Sequence, residues 1–183
     1  TNSAGTAYGN QVSFASLQPG QFTDIENNVY NSVTIGTQVW MKENLKTTKT
    51  NDNTPILNIT SNNAWGTLTS PGYCWYNDDI VNYGNKFGAL YNWYAVNMGK
   101  LCPVSWHVPS YEEWSVLIEY LGSGDVAGGK MKEYGTLFWQ SPNIGATNES
   151  GFSARGGGQR YPESVGLMVT GRWWSAIATD FSN

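Results

Sequence analysis

The chain of 183 residues predicts an α+β domain with two short helices, a small twisted antiparallel sheet and long ordered loops. Three observations carry that expectation. Residues 29–41 alternate apolar and polar side chains on either side of Gly36-Thr37, the pattern of a β-hairpin. Residues 110–122 hold a capped amphipathic helix. The remainder is rich in Gly, Asn, Ser and Thr and poor in charge: 13% Asp, Glu, Lys and Arg against 14% aromatic, with nine Trp and eleven Tyr. A globular chain usually carries about a quarter charged residues. This balance fits a loop-rich extracellular domain whose surface is polar through amides and hydroxyls.

The helix is the clearest element. Glu113 stands three residues after Ser110, the capping-box spacing, so hydroxyl and carboxylate can satisfy each other's backbone N–H. Trp114, Leu117, Ile118 and Leu121 fall at i, i+3, i+4 and i+7, one face of a helix. Gly122 stops it. Trp106-His107-Val108, between Pro103 and Pro109, reads as a short strand feeding the helix.

Residues 1–22 form a separate arm on composition, with no Lys, Arg, Asp, Glu or Cys. Val12 and Phe14 alternate with Gln11, Ser13 and Ala15 as in a weak strand, while Leu17 falls on the other face. Gln18-Pro19-Gly20-Gln21 reads as a turn. So few large apolar groups cannot build a core. Two readings stay open: a disordered arm, or a strand that pairs with another sheet, with Val12, Phe14 and Leu17 as donor candidates. The domain proper is then 23–183.

Beyond the hairpin, residues 44–55 are a polar connection and 58–70 an Asn/Thr-rich loop with Trp65 on a short helical turn. Tyr73-Cys74-Trp75-Tyr76 is an aromatic strand. Phe87, Leu90, Tyr91 and Tyr94 stand at helical spacing and predict the first helix over 87–96. Residues 131–139 read as a helical piece and a strand, and 141–160 as glycine-rich loop. Gly171-Arg172-Trp173-Trp174-Ser175 is a late strand. Its adjacent indoles then point to opposite faces, one inside and one outside. Trp65, Trp173 and Trp174 are therefore the candidates for contact with a ligand or a neighbouring subunit.

Chemistry is sparse. The net charge is −4 and the isoelectric point near 4.9, which argues against nucleic acid. No run of eighteen apolar residues occurs, so direct membrane insertion is not expected. The only histidine, His107, reads as a satisfied core or near-surface residue rather than a catalytic one. The carboxylate pairs Asp78-Asp79 and Glu112-Glu113 are sequence neighbours, which point apart. Asp78 and Asp79, with Asn77 and Asn82, make a weak calcium candidate against a plain solvated loop. Gly156, Gly157 and Gly158 lack the following helix and Lys of a phosphate loop. Cys74 and Cys102 are either one disulfide, worth about 3 kcal/mol by chain entropy, or two free buried thiols. No catalytic constellation and no cofactor emerge.

Six ordered motifs resemble one family. They are Trp40-Met-Lys-Glu-Asn-Leu-Lys-Thr-Thr-Lys49, Gly72-Tyr-Cys-Trp-Tyr76, Gly88-Ala-Leu-Tyr-Asn-Trp-Tyr94, Leu101-Cys-Pro with Trp106-His-Val-Pro-Ser110 and Glu113-Trp114, Asn148-Glu-Ser-Gly-Phe152, and Trp173-Trp174-Ser175. Together they look like the Fibrobacter succinogenes major paralogous domain, a module of secreted and lipid-anchored bacterial proteins. The resemblance implies a C-type-lectin-like fold near the formylglycine-generating-enzyme type, and structural roles for Trp40, Trp93, Trp106 and Trp114. The paired late cysteines of those enzymes are not matched here, so their activity is not carried over.

Three departures from the family pattern set expectations. Ser105 replaces a usual Gly and should shift the local backbone. Ala176-Ile177-Ala178 replaces a polar continuation. The family's closing aromatic strand is also missing, which predicts an open sheet edge. Three explanations stand: a longer gene product, a divergent closure, or a strand donated by a neighbour. The resulting expectation is an extracellular, non-enzymatic surface module that assembles head to tail with identical subunits through its N-terminal arm. The alternative is an adhesin domain that binds glycans or protein.

Overall fold

A computed structural model describes residues 17–176. Val12 and Phe14 lie outside the described residues, and Leu17 is 46% exposed. The architecture is mixed α+β, with small sheets and short helices rather than one continuous sheet.

The first sheet has the order β1 (Gln21–Thr23), β2 (Val29–Ile35), β3 (Gln38–Met41), antiparallel throughout. The predicted hairpin is its centre, closed by Ile35 opposite Gln38. Gly36 sits at φ +60°, as the first central residue of a type II′ turn needs, and a Cβ there would stand 2.9 Å from the Tyr120 ring. The predicted turn before it is also present, with Gln21 N–H donating to Gln18 O at 2.9 Å. Gln21 and Phe22, read as the end of the arm, instead belong to β1. Phe22 stacks on Trp106 at 4.1 Å and on Tyr30 at 5.7 Å, which ties this strand into the domain.

The second sheet comprises β4 (Leu57–Asn58), β5 (Gly72–Cys74) and β6 (Leu90–Tyr91) in that order. β4 is parallel to β5, so the pairing is not purely antiparallel as predicted. Helix α1 (Asn62–Thr67) carries Trp65, as expected. A 3₁₀ turn (Tyr76–Asp78), a π turn (Ile80–Gly84) and the single-turn α2 (Asn85–Phe87) lead back to β6. The continuous helix predicted over 87–96 does not form. Gly88 breaks it at φ +77°, where a Cβ would lie 2.6 Å from that of Asn44. Asn92 then caps a new helix, α3 (Trp93–Val96), through Ala95 N–H at 3.0 Å. The helical spacing of Phe87, Leu90, Tyr91 and Tyr94 therefore spans three separate elements.

Helix α4 (Tyr111–Tyr120) carries the complete predicted capping box. Ser110 Oγ accepts from Glu113 N–H at 3.2 Å and Glu113 Oε2 accepts from Ser110 N–H at 2.8 Å. The lead-in is a turn, not a strand: Trp106 N–H donates to Pro103 O, and Ser105 sits at φ +72°. Ser105 thus keeps a left-handed backbone that favours glycine, where a shift was expected. Helix α5 (Gly124–Met131) was not predicted, because its three glycines lower helix propensity. Burial of Ala127 and Met131 holds it. The helix-then-strand reading of 131–139 fails with it, since Met131 ends this helix and no strand follows before Gln159. A last hairpin pairs β7 (Gln159–Arg160) with β8 (Ser164–Val165).

Two cores result. The first packs Ile35 and Trp40 of the hairpin against Leu117, Leu121, Ala127 and Met131 of α4 and α5, with Phe152 and Ala154 from a loop. The second packs Ile56, Tyr73, Trp75 and Tyr91 of the second sheet region against Ala95, Val96 and Leu101. Among the described residues no helix is long and apolar enough to cross a membrane.

Candidate functional site

The hydrogen-bond parity of the hairpin decides which backbone groups are free. Lys42 N–H donates to Asn31 O, so Lys42 and Asn31 are a bonded pair. Counting by two, Trp40 bonds Val33 and Gln38 bonds Ile35. Val39 and Met41 must then aim their N–H and C=O away from β2. No partner for them is found among the described residues. In the second sheet, Asn92 N–H donates to Gly72 O, which by the same parity turns the main chain of Tyr91 away from β5. Both outward-facing edges, β3 and β6, line one open cleft of about 1360 Å³.

Seven of the nine tryptophans line this cleft: Trp40, Trp65, Trp93, Trp106, Trp114, Trp173 and Trp174. They come from β3, α1, α3, the turn before α4, α4 itself and the segment 171–174. Trp40 and Trp114 meet at 4.7 Å between ring centroids, and Trp114 also approaches Phe152 at 6.2 Å. The aromatic surplus of the sequence is thus concentrated at the junction of the two cores.

The segment holding Trp173 and Trp174 is an irregular strap, not the predicted strand. It crosses the cleft, with Trp174 at Tyr91 of β6 and Trp173 packed on Phe152 of the first core at 6.3 Å between ring centroids. Trp174 Nε1 donates to Tyr91 O at 3.0 Å, and Trp114 Nε1 donates to Trp174 O at 3.2 Å. Trp173 Nε1 donates to Asn44 Oδ1 at 3.0 Å. Both indoles therefore enter the cleft, at 38% and 45% exposure, rather than one facing in and one out. The side-chain anchors replace a backbone ladder. Ala176 then crosses to Pro109, its N–H donating to Pro109 O at 2.8 Å.

His107 and Glu113 stand at the cleft beside the start of α4. His107 is exposed, at the surface rather than in a core, and is satisfied there, with Nε2 2.8 and 2.9 Å from the two Glu113 oxygens. Partial burial of Glu113 opposes ionisation, but the Ser110 N–H and the imidazole outweigh it and hold the carboxyl below its usual value. Glu113 is engaged in capping and pairing, which leaves it no free role as an acid or base.

Trp65 lies at the far end, with the Arg160 guanidinium 5.5 Å from its ring centroid. Arg160 is almost fully buried and had no signal in the sequence. It donates to the carbonyls of Ile59, Thr60 and Pro162, to Asn62 Oδ1 and to Asp78 Oδ1. Asn44, another residue without a predicted role, accepts from Trp173 and donates to Phe87 O at 2.8 Å.

The calcium candidates are spoken for. Asp78 pairs with Arg160 at 2.9 Å, and Asp79 accepts from the Asn82 backbone and amide at 2.9 and 2.6 Å. Among the described residues no group of three or more His, Cys, Asp or Glu could hold a metal. Cys74 and Cys102 are free thiols, not a disulfide. Alternation along β5 puts the Cys74 side chain on the face opposite Tyr73, toward Arg160, whereas Tyr73 and Leu101 share the second core. Burial pushes both thiols up to about 11.

Neither the curated proteins nor the solved structures contain a match to the chain. The family model of the Fibrobacter succinogenes major domain matches residues 33–182, which take in the end of β2, all of β3, both cores and the whole cleft. The chain belongs to the Fibrobacter succinogenes major domain family.

Proposed function

We propose that the protein is a non-enzymatic module of a bacterial cell surface, with a lectin-like fold, that assembles head to tail with its own copies by strand complementation. The observation that carries this reading is the cleft. It sets the outward main chain of Val39 and Met41 beside an aromatic wall, and an edge of that kind recruits a strand. A head-to-tail contact of this type does not close on itself and gives a filament. The arm of residues 1–16 supplies an uncharged segment with apolar residues at alternate positions. Electron microscopy of the full chain and of a variant lacking residues 1–16 tests the reading. Filaments are expected from the first and not from the second, and filaments of equal length from both would refute it.

A second reading has its own observation: the half-exposed rings of Trp173 and Trp174 offer stacking faces of the kind sugars use. A chain that stays monomeric and binds glycans, with binding lost in Trp174→Ala, would favour the adhesin instead.

A further inference from the structure

The assembly reading names no acceptor residues, and the structure assigns them. Resting on that reading, we propose that the β3 side of the cleft is the acceptor slot, and that its occupant is residues 11–15 of a second copy. Val12 and Phe14 then face the Trp40 side, and Ser13 lies beside Val39 or Met41.

The slot is defined by two features. The strap of Trp173 and Trp174 crosses the cleft, bonding Tyr91 of β6, Asn44 and Trp114 and packing Trp173 on Phe152, but it makes no hydrogen bond to Val39 or Met41. β3 also has two unlike faces. Trp40 is 7% exposed and packs in the first core, while Val39 is 57% exposed. A strand laid along β3 places residues of one parity on the Trp40 face and residues of the other parity on the Val39 face. Residues 11–15 have this pattern, with Val12 and Phe14 on one face and Gln11, Ser13 and Ala15 on the other. They carry no charge, so insertion beside Trp40 and Trp114 buries none.

Geometry selects a second copy over the chain's own arm. β1 and β3 are opposite edges of the same sheet. The slot beyond β3 lies three strand spacings from β1, about 14 Å. Between Ala15 and the Gln18 turn that begins β1 the chain spans at most about 10 Å. The leash is too short for self-insertion.

The test uses the full chain with paired cysteines, Ser13→Cys with Val39→Cys and Ser13→Cys with Met41→Cys, oxidised after assembly. Cys74 is buried and Cys102 half-buried in the cleft lining, so each single variant serves as control for cross-links to the native thiols. A ladder of disulfide-linked multimers is expected for at least one pair. A cross-link confined to monomers would overturn the choice of a second copy. Filaments with no cross-link in either pair would overturn the slot while leaving assembly by the arm intact. Absence of any filament would instead overturn the reading beneath it.

Val39→Pro is the complementary variant. It removes an N–H that faces away from β2, so the hairpin ladder is kept. It should fold with unchanged near-ultraviolet circular dichroism and lose at least tenfold in filament mass. If residues 177–183 of the same chain hold this edge instead, Val39→Pro will polymerise like the parent and the ladder will be missing, which refutes the proposal. Met41→Pro repeats the test should Val39→Pro misfold.

Discussion

The two cores on either side of the cleft are made stable in different ways. The first joins a hairpin to two helices and buries Leu117, at 1% exposure, among Ile35, Leu121 and Met131. Its order comes from regular elements with apolar faces. The second has only two- and three-residue strands, too short to define a sheet alone. Its surroundings are fixed by buried polar side chains acting as clips. Tyr91 OH donates to Thr47 O at 2.7 Å, Glu26 accepts from Thr48 and Thr47, and Arg160 gathers three carbonyls and a carboxylate. The comparison teaches that loops become rigid walls when single polar side chains satisfy several backbone groups at once.

The comparison can be broken at four points. The largest effect is expected at Arg160. Arg160→Met leaves the carbonyls of Ile59 and Thr60 and the Asp78 carboxylate without their donor, and should cost about 4 kcal/mol in urea unfolding. A cost below about 1 kcal/mol would mean the clips are ornamental. Leu117→Ala should cost about 3 kcal/mol by the same measurement, with the loss assigned to transfer and cavity. Its near-neutrality would deny the first core its apolar basis.

The cap of α4 comes next. Ser110→Ala should lower stability by about 1 kcal/mol. Glu113 adds a pH dependence. Its folded carboxyl titrates below the usual 4.5, so its contribution is complete above that value and is lost as pH falls through the lower folded one. The urea midpoint of the parent should therefore fall between pH 6 and pH 3 by more than that of Glu113→Gln. The smallest effect is a gain: Ser105→Gly relieves a left-handed serine and should add about 0.5 kcal/mol, the difference between removed strain and added freedom of the unfolded chain. Thermal unfolding of the two proteins compares them directly.

The same contrast explains what the sequence made legible. The hairpin and α4 were readable because period, turn and cap are local properties of adjacent residues. α5 was not, because its glycines argue against a helix and only the burial of Ala127 and Met131 holds it. The spacing of residues 87–94 misled for the converse reason, since a Gly at φ +77° divides a pattern that looks continuous. The candidate tryptophans were identifiable as residues, but their convergence was not. Trp173 meets Asn44 across 129 positions, and no local pattern encodes a contact so distant. Arg160 gave no signal, because one arginine in a loop looks alike whether solvated or buried.

Amide hydrogen exchange along β3, compared between dispersed chain and filament, tests the central claim most directly. In the dispersed chain Gln38 and Trp40 should be protected by β2 while Val39 and Met41 exchange at least a hundredfold faster. In the filament Val39 and Met41 should become as slow as Trp40. Exchange at Val39 and Met41 that is equally fast in both states, or equally slow in both, would contradict an acceptor edge at β3.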